Sequence, residues 1–254
     1  MRTVVHRACL AALALLASAG VAAADEVRLI SVGGVKGALD PIIADFSKAT
    51  GHTVKYTVGS PMAVAQKLAA GEAFDVVVQS VPAMSDLAKA KGLEPETRAP
   101  VARGGIGVAV SQSASAPDIS TADAFKRTLT TAKSIGVGDP AMPNGSGIVI
   151  QRILAASGIA DAIKDKVKVV GLDPGQEMIA KGELELGLMN ASEVRGFVKF
   201  AGPVPAPLQD YTNYEVAITT KVAAADAAAA LARAIASADA ARHWRAARME
   251  PQAK

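Results

Sequence analysis

The residues of this chain best suited to chemistry sit in a turn, Gly59-Ser60-Pro61, within the stretch YTVGSPMAVAQKLAAGEAFDVVVQS from Tyr56 to Ser80. Serine is a strong helix N-cap, and proline fits the first helical position. A helix entered this way turns unpaired backbone N–H groups outward at its positive end, where an anion is stabilised. Related turns recur at Asn144-Gly145-Ser146-Gly147 and at Leu172-Asp173-Pro174-Gly175, and Ser31-Val32-Gly33-Gly34 is a further glycine turn. Several helix N-termini aimed at one place would hold an anion.

Catalytic groups are sparse by comparison. The chain has one cysteine, Cys9. Beyond residue 24 the histidines are His52 and His243, far apart in sequence and near no acidic cluster, so surface or packing roles are expected of them. No nucleophile-elbow G-x-S-x-G occurs in a strand–turn–helix setting. Neither a metal nor a cofactor is expected, and the reading from the residues is a binding protein rather than an enzyme.

The elements that must position these turns follow from the patterning. Met1 to Arg7 is basic, Ala8 to Val21 is apolar, and Ala22-Ala23-Ala24 is a run of small residues. This reads as a cleavable export signal over residues 1–24, which places the product in the periplasm. The apolar run is too short for a spanning helix of about 20 residues. The formal charge is +3; without Arg2 and Arg7, 25 basic residues face 24 acidic ones. That balance argues against nucleic acid or an acidic membrane surface as partner.

Strands are expected at 27–30, 52–58 and 74–78, with helices from Leu39 to Phe46, Ala63 to Ala70 and Met84 to Ala90 between and after them. A second unit repeats the alternation: strands at 106–110, 134–137, 167–170, 186–189 and 214–219, helices at 122–130, 148–156 and 176–180. The Ala-rich stretch 223–241 reads as a terminal helix. Alternating strands and helices imply an α/β fold whose mostly parallel sheets are flanked by helices, with ligand at the carboxyl ends of the strands. Two lobes are expected, residues 25–105 plus 221–254 and residues 106–220, joined by crossings near 103–110 and 214–220.

The ordered set VRLISVGGVKGAL, YTVGSPMAVAQKL, AAGEAFDVVVQS, IGVGDPAMPNGSG, GELELGLMNASEV and IASADAARHWRAARMEP resembles the periplasmic molybdate-binding proteins of ABC transporters over roughly Glu26 to Pro251. The resemblance implies a type II periplasmic binding fold, two lobes closing on a small anion. It implies an ABC permease and an ATPase as partners, docking at the membrane, and a monomer. That family holds its oxyanion with serine hydroxyls, backbone amides and a tyrosine. Here its first-turn serine corresponds to Gly34, its second-turn serine to Pro61 with Ser60 beside it, its alanine after the third strand to Ser80, and its tyrosine to Asn190. The scaffold is kept while the contacts change, which favours a larger organic carboxylate; molybdate or tungstate, and a receptor that serves a sensor instead of a permease, are the alternatives.

Each candidate also has an ordinary explanation. Ser60 can simply cap its helix. Gly33 and Gly34 relieve a tight turn and let backbone approach a ligand. Gln79 and Ser80 end a buried strand at the expected cleft edge. Asn144, Gly145 and Ser146, like Asp173 and Gly175, open helices. Asn190 is either a turn residue or a ligand contact. Lys36 and Arg103 are the cations nearest the expected cleft, and Arg103 would suit a carboxylate. Asp139, before Pro140, reads as a turn residue. Trp244 is expected to pack on the first lobe.

Overall fold

Valine-rich strands bounded by glycine and proline turns build the sheets, and the helices between them bury one face. The computed structural model describes residues 24–142 and 145–252. The expected export signal with Cys9, apart from Ala24, lies outside the described residues, as does Asn144.

The first lobe contains β1 (Glu26–Val32), α1 (Lys36–Thr50), β2 (Thr53–Gly59), α2 (Pro61–Ala69), β3 (Val76–Ser80) and α3 (Val81–Lys89). A long strand, β4 (Ala99–Ser111), leaves it, followed by α4 (Ala122–Thr131), β5 (Ile135–Val137), α5 (Ser146–Ser157), α6 (Ala160–Ile163), β6 (Val167–Val169), α7 (Leu172–Lys181), β7 (Leu186–Asn190) and β8 (Val198–Pro203). The chain returns through β9 (Tyr211–Ile218) and closes with α8 (Ala225–Ile235), α9 (Ala241–Ala246) and β10 (Met249–Pro251).

The strand order is β2-β1-β3-β9-β4-β7-β5-β6, with β8 and β10 paired to β4 off this path. β1 runs parallel to β2 and β3, and β5 parallel to β6 and β7. β9 runs antiparallel to both β3 and β4. The first half of β4 pairs with β9 and β10 and its second half with β7 and β8, so one strand passes from one lobe into the other. β4 is longer than the segment 106–110 expected from its apolar run, because its first half carries Arg103 and the glycines Gly104 and Gly105.

β3 is buried along its whole length, as a strand covered by helices on both faces must be. One core gathers β1, α1, β3, α8 and α9 around Leu29, Leu39, Val77, Leu231 and Trp244. A second gathers Ile106, Phe125, Leu129, Ile135, Ile150 and Leu186. A smaller cluster, including Ile179, Leu184 and Met189, covers the other face of the second sheet. Tyr214, Val216 and Ala217, counted with the second lobe by sequence, pack in the first core. Trp244 is buried there, donating its indole N–H to the Ile235 carbonyl at 3.3 Å.

A charge pair with a fully buried carboxylate ties the first lobe together. The Asp75 carboxylate accepts from Arg28 Nε at 2.9 Å and Nη2 at 2.7 Å, and from the backbone N–H groups of Arg28 and Ala223. It thereby joins β1, the start of β3 and the segment leading into α8. Burial pushes its carboxyl up, but the Arg28 guanidinium and the two backbone donors outweigh this and hold it below the usual carboxylate range.

Candidate functional site

The carboxyl ends of β1, β2, β3, β5, β6 and β7 open onto one cleft of about 670 Å³ between the lobes. The first lobe contributes Val32–Gly34, Val58–Pro61 and Gln79. The second contributes Gly136–Asp139, Met142, Gly145–Gly147, the turn Val169–Asp173 with Gly175, and Gly187–Asn190 with Glu193. β9 adds Thr212 and Tyr214. Three helices thus begin at this cleft: α2 from one side, α5 and α7 from the other.

Their starts differ. At α2 the Ser60 hydroxyl accepts from the Ala63 N–H at 3.2 Å, so the cap satisfies one of the orphan donors. At α5 and α7 the N-cap residues are Gly145 and Gly171, and among the described residues no side chain caps either helix. Their first N–H groups are available to a ligand. Gly147 is required for this approach: a Cβ there would lie 2.4 Å from the backbone of Asp139.

The base of the cleft is where the lobes touch. The Ser192 hydroxyl donates to the Gly34 carbonyl at 2.7 Å. A Cβ on Gly34 would come within 2.9 Å of the Tyr214 hydroxyl and 3.6 Å of Asn190 Nδ2. Asn190 Nδ2 donates to Glu193 Oε2 at 2.8 Å. Buried Gln176 holds the turn that carries Glu193, donating to the Glu193 carbonyl at 3.1 Å and accepting from the Arg195 N–H at 2.7 Å. Burial pushes the Glu193 carboxyl above the usual range despite the Asn190 donor and nearby Arg195, and Asp173 adds to the rise. Burial also raises the Tyr214 phenol, reinforced by Glu193, so this hydroxyl stays protonated and can donate.

Of the residues singled out by sequence, the cleft brings together Gly33, Gly34, Ser60, Pro61, Gln79, Gly145, Ser146, Asp173, Gly175 and Asn190. Three others lie elsewhere. Ser80 is buried but does not line the cleft, because successive strand residues face opposite ways and Gln79 takes the cleft side. Arg103 donates from Nε to Glu250 Oε2 at 2.7 Å and stacks 4.0 Å from the Tyr211 ring centroid, on the edge shared with β10. Lys36 pairs with Asp40 one helical turn on. Both cations are thus engaged away from the cleft.

Sequence reading missed Glu193, Thr212 and Tyr214. Glu193 lies three residues beyond Asn190, near enough to be suspected. Tyr214 carries no local signal, since its cleft neighbour Gly34 is distant in sequence. Asp139 is a turn residue as expected, accepting from the Ala141 N–H at 2.8 Å, and it also lines the cleft. His243, far from the site, bonds Asp45 at 2.8 Å, an acidic partner that its sequence neighbours do not show.

Among the described lining residues there are three carboxylates and no lysine or arginine. Among the described residues no group of three or more histidine, cysteine, aspartate or glutamate side chains is arranged to hold a metal ion.

A family model described as bacterial extracellular solute-binding protein matches residues 27–249. The chain belongs to this family. This solute-binding protein is 32% identical over 239 residues to an aconitate isomerase from a Pseudomonas species, with 90% of each chain covered. Its fold is similar to the periplasmic molybdate-binding protein of Azotobacter vinelandii, with a TM-score of 0.72 at 18% identity, covering 88% of this chain and 98% of that one. It is also similar to a sulfate-binding protein from Mycobacterium tuberculosis, with a TM-score of 0.71 at 16% identity, covering 90% and 87% of the two chains. At such identities the likeness establishes the fold, the two-lobed type II architecture implied by the sequence resemblance.

Proposed function

We propose that this solute-binding protein captures a small organic acid in the periplasm and delivers it, as a monomer, to a membrane permease driven by an ATPase. The observation that carries the reading is the cleft itself: about 670 Å³, edged by uncapped helix N-termini, and lined by no lysine or arginine among its described residues. Helix N-termini suit a carboxylate as they suit any anion. The size of the cleft suits an organic skeleton better than a compact tetrahedral oxyanion. The aconitate isomerase relative points the same way. Ligand bridging the two walls favours the closed form, which the permease recognises.

Thermal unfolding against molybdate, tungstate, sulfate, phosphate and a series of mono-, di- and tricarboxylates tests this. A true ligand at 100 times its dissociation constant adds about 2.7 kcal/mol. Stabilisation by carboxylates is the expected result. A response to molybdate or tungstate alone would overturn it in favour of an oxyanion carrier.

One observation favours a second reading, that the bound acid is also isomerised. It is the relative's name together with Glu193, a carboxyl of raised pKa facing the cleft, which is what a proton-transfer group requires. Incubating the protein with cis-aconitate and following the trans isomer by proton NMR decides it. Turnover abolished by Glu193→Gln supports catalysis; binding without conversion supports transport alone.

A further inference from the structure

We propose that the ligand is a hydroxy acid, whose carboxylate rests on the helix N-termini and whose hydroxyl donates to Asn190 Oδ1 at the base of the cleft. This rests on the organic-acid reading above and narrows it to a chemical class.

Asn190 ends β7, lines the cleft and is 7% exposed. Its Nδ2 donates to Glu193 Oε2 at 2.8 Å. When Glu193 is ionised its carboxylate only accepts, so the amide presents Nδ2 to it. The other amide atom, Oδ1, is buried and has no hydrogen-bond partner among the described residues. Native proteins rarely leave such an acceptor unpaired, and a donor carried by the ligand would satisfy it.

The surroundings say what kind of donor fits. The Tyr214 hydroxyl lies at the base of the cleft too, 2.9 Å from where a Gly34 Cβ would be, and Asn190 Nδ2 lies 3.6 Å from that point. A Cβ there would crowd the Tyr214 hydroxyl, so the glycine lets Tyr214 and Asn190 stand side by side at the base of the cleft. Tyr214 keeps its proton and can donate, while Asn190 Oδ1 can only accept. An alcohol oxygen answers both, accepting one hydrogen bond and donating another. A carboxylate oxygen could accept from Tyr214 but has nothing to give Asn190. An extra carboxylate would also meet Glu193, and no lining cation among the described residues would offset it. Asp139 and Asp173 are already engaged by the Ala141 N–H and by Arg195.

The test is calorimetric titration of the full chain with matched pairs that differ by one hydroxyl: malate against succinate, citrate against tricarballylate, and lactate against propionate, using both enantiomers where they exist. The expected result is at least one pair in which the hydroxy acid binds about ten-fold tighter or more, as one well-placed hydrogen bond gives. Asn190→Leu should bring that ratio to within about two-fold. Gly34→Ala, whose Cβ would push the Tyr214 hydroxyl aside, should lose the preference independently, and it guards against failure of the first variant to fold. Equal affinities within every pair, or a preference that survives both variants, would overturn the proposal and leave the organic-acid reading standing. No binding by any of the six acids would overturn both.

Discussion

Each lobe holds its cleft wall in place with a buried polar group, but at opposite ends. In the first lobe that group is Asp75, at the start of β3, with Arg28 and the Ala223 N–H as partners. The cleft lies at the far end of the same strands, where Gly33, Gly34 and Gln79 meet it. In the second lobe the group is Gln176 of α7, clamped to the turn that carries Glu193 and Arg195, directly beside the cleft. Stability and binding are therefore separable in the first lobe and entangled in the second.

The strongest way to break this comparison is Asp75→Ala. Removing the buried carboxylate leaves the part-buried Arg28 and the Ala223 N–H without their partner, so a loss of about 3 kcal/mol in unfolding free energy is expected, the lower end for a fully buried pair, with ligand affinity unchanged in whatever folds. The same carboxyl predicts an acid limb. Its pKa is depressed in the folded state, so its stabilisation is complete above the unfolded value of about 3.9 and drains away as pH falls through the folded value. Melting curves against pH should show this limb in the native protein and a flatter one in the variant.

Gln176→Ala is the opposing case. It leaves the Arg195 N–H and the Glu193 carbonyl without their partner and should destabilise by about 1–3 kcal/mol. Unlike Asp75→Ala it should also weaken ligand binding, because the Glu193 turn loses its clamp. Titration calorimetry beside chemical denaturation separates the two effects. An affinity equal to that of the native protein would break the comparison.

Ser60→Ala sharpens it on the first-lobe side. The cap contributes about 1 kcal/mol, and its removal should lower the melting point accordingly. If the hydroxyl does nothing but cap, affinity holds; a concurrent fall in affinity would make Ser60 a ligand contact as well. The smallest effect is expected from Arg103→Ala. Its pair with Glu250 is exposed, so stability should move by less than about 1 kcal/mol and affinity not at all.

Much of this arrangement could be read from the chain, and the failures have physical causes. The alternation of valine-rich runs with helical periods marked most of β1 to β7 and their intervening helices. The Gly59-Ser60-Pro61 turn announced the start of α2, since capping chemistry is local. β8 and β10 went unread because a short strand on the flank of another takes its identity from its partner, here β4. Asn190 was legible by its place at a strand end. Tyr214 was not, because β9 brings it to Gly34 through pairings that no neighbouring residue encodes. Arg103 and Lys36 misled for the same reason in reverse. Their charges suggested a ligand, but Glu250, distant in sequence, and Asp40, close by, were already their partners.

The position of Trp244 has a practical consequence for spectroscopy. It is the single tryptophan of the chain, carried by α9, buried in the first core against the end of α8 and absent from the cleft lining. Its emission should therefore follow the melting of that core and stay silent while a ligand enters or leaves. One sample can then carry two independent signals, with native fluorescence tracking denaturation and heat or a dye placed at Met142 tracking occupancy.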